Sequence, residues 1–309
     1  YKSALDFAAG IAWVYKHTDR DALSESAKHT VKENFREKLI ADRHIALYRQ
    51  LLDREKQVPA EKPSLSVITV VYNNVKDIER TIQSVLNQTY PHVEYIIIDG
   101  ASTDGTVDVV RKYADGVDKF ISEKDKGIYD AMNKGLSLAT GDYVLFMNSG
   151  DEIFANDTVE KVFASSPNAD IYYGETEMFN QQWQSIGQRR HKAPARLSPS
   201  SFRYGMSVSH QAIYIRRSLA GFYNSEYKLS ADIDWILNAL KKAQKVVNVN
   251  AYVAKYLVGG MSKKKHRQSL LERFHIFSKH FGFIPNLLNH VAIAANLLTY
   301  YIRNGRTND

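Results

Sequence analysis

The chain has 309 residues, 44% of them hydrophobic, and 41 Lys+Arg against 34 Asp+Glu leave a net charge of +7. Aromatic residues at 11%, with 16 Gly and only 7 Pro, exclude a disordered or fibrous chain; the length suits one large domain with appendages. Without cysteine there is no disulfide framework, thiolate metal site or cysteine nucleophile, which fits a reducing compartment, and the positive charge points to an anionic partner.

Residues 1–62 read as a helical N-terminal extension. Leu5 to Val14 is apolar-rich, but Asp6 and the lack of a small-residue cleavage pattern argue against a signal peptide. Leu23, Ala27, Val31, Phe35 and Leu39, then Ile45, Tyr48 and Leu52, recur among Lys, Glu and Arg as the stripe of amphipathic helices. Such helices either pack on the next domain or meet a partner. Pro59 and Pro63 close the segment.

Residues 63–267 alternate between strand and helix. Val67 to Val71 is a continuous β-branched run, the mark of a buried strand, and Asp77 to Gln88 has helical spacing. Tyr95 to Ile98 is a second buried strand ending at Asp99-Gly100, followed by a helix over Thr103 to Tyr113. Phe120-Ile121, a helix from Ile128 to Thr140, and a strand from Tyr143 to Met147 come next, the last running straight into Asn148-Ser149-Gly150-Asp151. The interleaving predicts an α/β fold with a mostly parallel sheet and helices on both faces. Ligands of such sheets sit beyond the carboxyl ends of the strands, so Tyr72-Asn73-Asn74, Asp99-Gly100 and Asn148 to Asp151 should converge on one crevice.

Residues 268–309 are helical again. Phe281 to Ile302 carries no Asp, Glu, Lys or Arg, yet Pro285, Asn286, Asn289, His290 and Asn296 interrupt it, against a bilayer span. The basic run Lys263 to Arg267 precedes it. An interfacial helix on anionic lipid and a helix folded back on the core both fit.

The chain has no phosphate-binding glycine fingerprint, no H-E-x-x-H and no G-x-S-x-G, which removes P-loop, dinucleotide, zinc-protease and serine-hydrolase readings. Carboxylates remain at strand ends and turns: Asp99, Asp104, Asp125, Asp130, Asp151, and later Asp232 and Asp234. Facing an anionic ligand, they call for a divalent cation. Asp104 and Asp130 also read as cap and turn residues.

Ser66 to Asn74, Ile97 to Thr106, Asp125 to Gly135 and Gly141 to Asp151 resemble, in order and spacing, the family-2 glycosyltransferases of GT-A (Rossmann-like) fold, and bacterial surface-polysaccharide enzymes in particular. The resemblance runs from about Leu65 to Ser262. It implies an inverting transferase that moves a sugar from a nucleotide-diphosphate donor, a UDP-sugar by preference, to a glycan or lipid-linked acceptor. By motif position Val71, Tyr72, Asn73, Asp99, Asp125 and Gly127 would bind the nucleotide, with Asp130, Asn133, Asn148 and Gly150 nearer the donor sugar. Asn148 and Gly150 stand where the family keeps the acids of its D-x-D metal motif, so Asp151 alone would hold Mg²⁺ or Mn²⁺. Asp232, in Ser230-Ala231-Asp232-Ile233-Asp234, aligns with the catalytic base; Asp234, on another helix face because i and i+2 do not align, is either its competitor or a structural acid. His210-Gln211 falls on the acceptor side or forms a core pair. Gly260, Ser262, Lys263 and His266 belong to a loop beside the diphosphate. Trp183 and Trp235 either stack on sugar or pack inside.

The expected setting is cytoplasmic, peripheral on the inner face of the membrane or against polysaccharide-assembly proteins, with no nucleic-acid partner. Two rival classes are a sugar-nucleotide nucleotidyltransferase and a basic membrane- or nucleic-acid-binding module. The first would need a glycine- and arginine-rich loop where Tyr72-Asn73-Asn74 stands; the second rests on charge alone.

Overall fold

The computed structural model describes residues 4–17, 19–34, 40–49, 62–189, 192–259 and 265–291. The chain divides into two units, Tyr1–Glu61 and Lys62–Asp309. In the first, α1 (Ala4–His17) and α2 (Arg20–Asn34) precede helical residues 40–49. Leu23, Val31, Ile45 and Tyr48 of the apolar stripe are solvent-exposed, while Phe35, Leu39 and Leu52 lie outside the described residues.

The second unit begins with β1 (Leu65–Val71), α3 (Ile78–Leu86), β2 (Val93–Asp99), α4 (Thr106–Arg111), β3 (Lys119–Ser122), α5 (Ile128–Leu138) and β4 (Tyr143–Phe146). All four strands are parallel, in the order β3-β2-β1-β4. Val67, Ile68 and Ile96 to Ile98 are fully buried because helices cover both faces. Gly135 permits the closest approach: a Cβ there would lie 2.4 Å from Ile68 Cγ2, so α5 rests directly on the sheet.

Then come β5 (Glu152–Ile153), α6 (Thr158–Ala164), β6 (Ile171–Phe179), β7 (Ser185–Gln188), β8 (Ile213–Arg216), α7 (Ala231–Lys242), β9 (Val246–Leu257) and α8 (His266–Phe281). They extend the sheet beyond β4 as β8-β6-β9-β5, with β7 on β6. This half is mixed: β8 is antiparallel to β4 and β6, whereas β6 and β9 are parallel. From β1 the chain builds β2 and β3 outward on one side and then returns to place β4 on the other, which makes β1 a topological switch point, where ligands of such sheets sit at the carboxyl ends.

Helix α4 starts three residues later than its spacing predicts. Asp104 Oδ1 accepts from the Thr106 N–H (3.0 Å) and Oγ1–H (2.6 Å), and Oδ2 from the Val75 N–H (3.0 Å), holding the preceding residues in a turn. Asp104 therefore locks two loops ahead of the helix, whose N-cap is Gly105. Residues 283–291 form a further helical stretch after α8, and no helix among the described residues is long and apolar enough to cross a membrane.

Candidate active site

Parallel register places Val71 opposite Asp99, and Asp99 opposite Ser122, at the carboxyl edge of the sheet. Asp99 is fully buried; its Oδ2 accepts from Ser122 Oγ (2.6 Å) and the Ser102 N–H (3.0 Å), while Oδ1 has no partner. A buried carboxylate oxygen left open at a strand end suits a donor brought by a ligand. The loops after β1 and β2 are laced together: Ser102 Oγ accepts from the Asn73 N–H (2.7 Å), and Asn73 Oδ1 from the Thr103 N–H (2.8 Å). Asn73 and Ala101 adopt φ of 49° and 61°, an uncommon backbone that this lacing sustains. Tyr72 is 65% exposed, and Asp125 approaches the same spot, since a Cβ on Gly100 would meet its Oδ2 at 2.6 Å and Tyr72 Cδ2 at 3.2 Å. Asp125 Oδ1 accepts from the Gly127 N–H at 2.8 Å, and Asp130 Oδ2 from the Lys126 N–H at 3.0 Å, which shapes the loop leading into α5.

Three of the expected site residues already hold protein partners. Val71 is an interior strand residue whose carbonyl accepts from the Gly100 N–H. Asn133 spends both amide atoms on the Tyr223 backbone (2.7 and 3.0 Å), tying α5 to the loop before α7. Gly150, at φ 103°, donates its N–H to Thr81 Oγ1 (3.0 Å) and serves the turn.

Asp151 is only 6% exposed; its Oδ1 accepts from the Leu257 N–H (3.2 Å), and burial pushes its carboxyl up to about 7 against the pull of His210. Asn148 Oδ1 is buried without a partner. Among the described residues no three His, Asp or Glu gather as a metal cluster. The open Asn148 Oδ1 and the Asp151 carboxylate are oxygen donors of the kind a divalent cation takes, and a diphosphate and water would have to complete its shell.

Asp232 and Asp234 separate as their spacing predicts. Asp234 is buried, accepting from His280 Nε2 (2.7 Å), Lys279 Nζ (3.3 Å) and Asn238 Nδ2 (3.0 Å). Burial works against its charge, yet His280 and Lys279 hold its carboxyl below the ordinary value. It fastens α8 to α7. Asp232, in the first turn of α7, instead lies 3.6 Å from His210 Nδ1 through Oδ2, and accepts from Tyr129 Oη at 3.4 Å through Oδ1. His210 Nε2 lies 3.0 Å from Asn148 Nδ2, so the end of β4 and the start of α7 share one site. Glu272 of α8 accepts from the N–H groups of Lys228, Leu229 and Ser230 and so fixes the approach to that turn.

Below Asp232, Tyr129 stacks on Tyr223 and Tyr223 on Trp235 (ring centroids 5.3 and 4.9 Å), with Phe146 edge-on to both Tyr223 and Trp235. Trp235 is thus packing, 3% exposed; Trp183 carries the Arg80 guanidinium 3.8 Å above its ring. Gln211 is buried, and among the described residues neither of its amide atoms has a partner. Tyr129 and Arg189 were not expected in the site. Arg189 Nη2 donates to the Met206 carbonyl (3.2 Å), and burial pushes its guanidinium down while Tyr256 and Asp232 pull it up. No spacing rule marks either residue. Gly260, Ser262, Lys263 and the side chain of His266 lie outside the described residues.

A 3-2-1-4 parallel sheet with acids at its carboxyl edge, extended by a mixed half that carries a further acid, is the GT-A arrangement found in glycosyltransferases. Residues 66–222 match the model of Glycosyl transferase family 2, and the chain belongs to that family, an enzyme of the glycosyltransferase class. It is 28% identical over 222 residues to a PGL/p-HBAD biosynthesis glycosyltransferase of Mycobacterium bovis, covering 68% of this chain and 84% of that one. Over 104 residues it is 44% identical to the putative teichuronic acid biosynthesis glycosyltransferase TuaG of Bacillus subtilis, covering 32% and 40%. Among solved structures, TarS 1–349 of S. aureus superposes with TM-score 0.57 at 20% identity, covering 74% and 72%. The mannosyltransferase PcManGT of Pyrobaculum calidifontis, solved with GDP-Man and Mn²⁺, superposes with TM-score 0.55 at 19% identity, covering 85% and 84%.

Proposed function

We propose that the protein is an inverting glycosyltransferase of surface-polysaccharide synthesis, transferring a hexosyl or N-acetylhexosaminyl group from a UDP-sugar to a glycan or lipid-linked acceptor. The observation that supports this reading is the contact chain Asn148–His210–Asp232, which brings the end of β4 to a carboxylate in the first turn of α7. Asp99 receives a base N–H on its open Oδ1, Tyr72 stacks on the base, and Asp125 closes over the nucleoside. Asp232 takes the proton of the acceptor hydroxyl as that oxygen bonds to the anomeric carbon. The bond from that carbon to the diphosphate breaks, its electron pair leaves on the nucleoside diphosphate, and the configuration inverts.

A Mg²⁺ or Mn²⁺ ion, when bound, supplies positive charge against the leaving diphosphate, and Asp151 with Asn148 would hold it. Support for a UDP donor comes from TarS, solved with UDP and with UDP-GlcNAc. The names of the mycobacterial relative and TuaG support a cell-envelope acceptor. The helical stretch 283–291 exposes Phe283, Ile284, Leu287, Leu288 and Val291 behind a basic run, which supports a peripheral position on the anionic inner face of the membrane.

A thermal-shift screen against UDP-, GDP- and dTDP-sugars tests the reading. One class should stabilise the fold, by roughly 2.7 kcal/mol at a hundredfold excess over Kd, and release nucleoside diphosphate with acceptor. No stabilisation by any class, or release of pyrophosphate, would overturn it.

A further inference from the structure

Asp232 stands in the first turn of α7, and that turn is set from outside its own helix. Ser230, at the N-cap, makes no side-chain bond to the turn; its Oγ meets Ser269 Oγ of α8 at 3.2 Å. What reaches the carboxylate is Tyr129 of α5, whose Oη donates to Asp232 Oδ1 at 3.4 Å. Burial and the charge of Asp232 push the Tyr129 hydroxyl well above its ordinary value, against a smaller pull from the backbone N–H groups of Asp232 and Ala231, so it stays protonated and donates. The bond is longer than the about 2.5–3.0 Å of a well-formed O–H···O bond, as catalytic hydrogen bonds often are before substrate closes the site.

A two-point grip of α5 on the loop before α7 holds the hydroxyl at that spot. Tyr129 and Asn133, four residues apart, share one face of α5. Tyr129 stacks on the Tyr223 ring (5.3 Å), and Asn133 takes the Tyr223 N–H and carbonyl (2.7 and 3.0 Å). Trp235 closes the far side of Tyr223, its ring 4.9 Å away and its Nε1 donating to the Gly221 carbonyl at 2.6 Å. Asp232 and Trp235 are three residues apart on α7, so the stack fixes α5 against the face of α7 that carries the carboxylate. We propose that Tyr129 is a positioning residue for the transfer: its hydroxyl holds Oδ1 of Asp232, stops the carboxylate from rotating, and leaves Oδ2 to take the acceptor proton. The proposal rests on the reading of Asp232 as the base.

Tyr129→Phe keeps the ring and the stack and removes only the hydroxyl. The assay uses the full chain with Mn²⁺ and the sugar nucleotide that the thermal-shift screen selects, and reads nucleoside diphosphate released with water as acceptor. In it kcat should fall roughly 10–100-fold, since a misplacement of about 1 Å costs ~10²-fold. The donor KM, and nucleoside-diphosphate affinity by calorimetry, should stay within about twofold, and Tm within about 4 °C. A double-mutant cycle separates positioning from a merely structural part: in the Asp232→Asn background, Tyr129→Phe should lower kcat no further, because no base remains to be aimed. Unchanged kcat in Tyr129→Phe, a loss confined to KM, or an equal fold-loss in the two backgrounds would overturn the proposal. Full activity in Asp232→Asn would instead remove the base itself, so the two failures are distinguishable.

Discussion

Glu94 is a hub at the amino-terminal edge of the sheet, opposite the active site. Its carboxylate accepts from Lys119 Nζ (2.6 Å), Ser66 Oγ (2.5 Å), and the N–H and Oγ1–H of Thr140 (both 2.8 Å), joining β1, β2, β3 and the turn before β4. Burial raises the cost of its charge, yet the bonds from Lys119, Ser66 and Thr140 hold its carboxyl from an ordinary 4.5 down to about 2. At about 1.4 kcal/mol per pH unit this is roughly 3 kcal/mol of native preference for the ionised form. The carboxylate and Lys119 are 15% and 32% exposed, so screening reduces it to about 2 kcal/mol. Because the folded value is depressed, this stability is complete above pH 4.5 and is lost as pH falls toward 2. Glu94→Gln should therefore lower Tm by roughly 4–8 °C at pH 7. Its urea midpoint should respond less than the wild type's between pH 4.5 and 3, with kcat per folded molecule unchanged. Identical midpoints and identical acid slopes for the two proteins would refute this account of the hub.

Asp234→Ala should cost about 3 kcal/mol in chemical denaturation, since it strips His280, 1% exposed at the side chain, of its acceptor and frees α8 from α7; a change below about 0.5 kcal/mol would contradict the clamp. Gly100→Ala should leave the fold intact but weaken UDP-sugar binding about tenfold, because its Cβ would displace Asp125 Oδ2 from 2.6 Å; unchanged affinity by calorimetry would remove Asp125 from the nucleotide site.

The parallel half of the fold is legible because buried strands carry unbroken apolar runs: Val67 to Val71 and Tyr95 to Ile98 fall inside β1 and β2, and the acids that follow land at one edge. The mixed half is not. In β6, Tyr, Gly, Glu and Thr sit among apolar residues without a two-residue period, since the strand is buried on both faces at one end and partly open at the other. The separation of Asp232 from Asp234 follows from helical geometry once α7 is granted. The fates of Asn133 and Gly150 do not, because each is fixed by a partner remote in sequence, Tyr223 and Thr81. Tyr129 and Arg189 reach the site through tertiary packing that leaves no mark on local spacing.

The most direct test compares Asp232→Asn with the wild type, measuring UDP-sugar affinity by calorimetry and turnover by nucleoside-diphosphate release. The amide keeps the shape and charge-free contacts of the carboxylate but cannot accept the acceptor's proton. The account predicts unchanged donor affinity with kcat reduced roughly 10²–10⁴-fold. Undiminished turnover in that variant would contradict it.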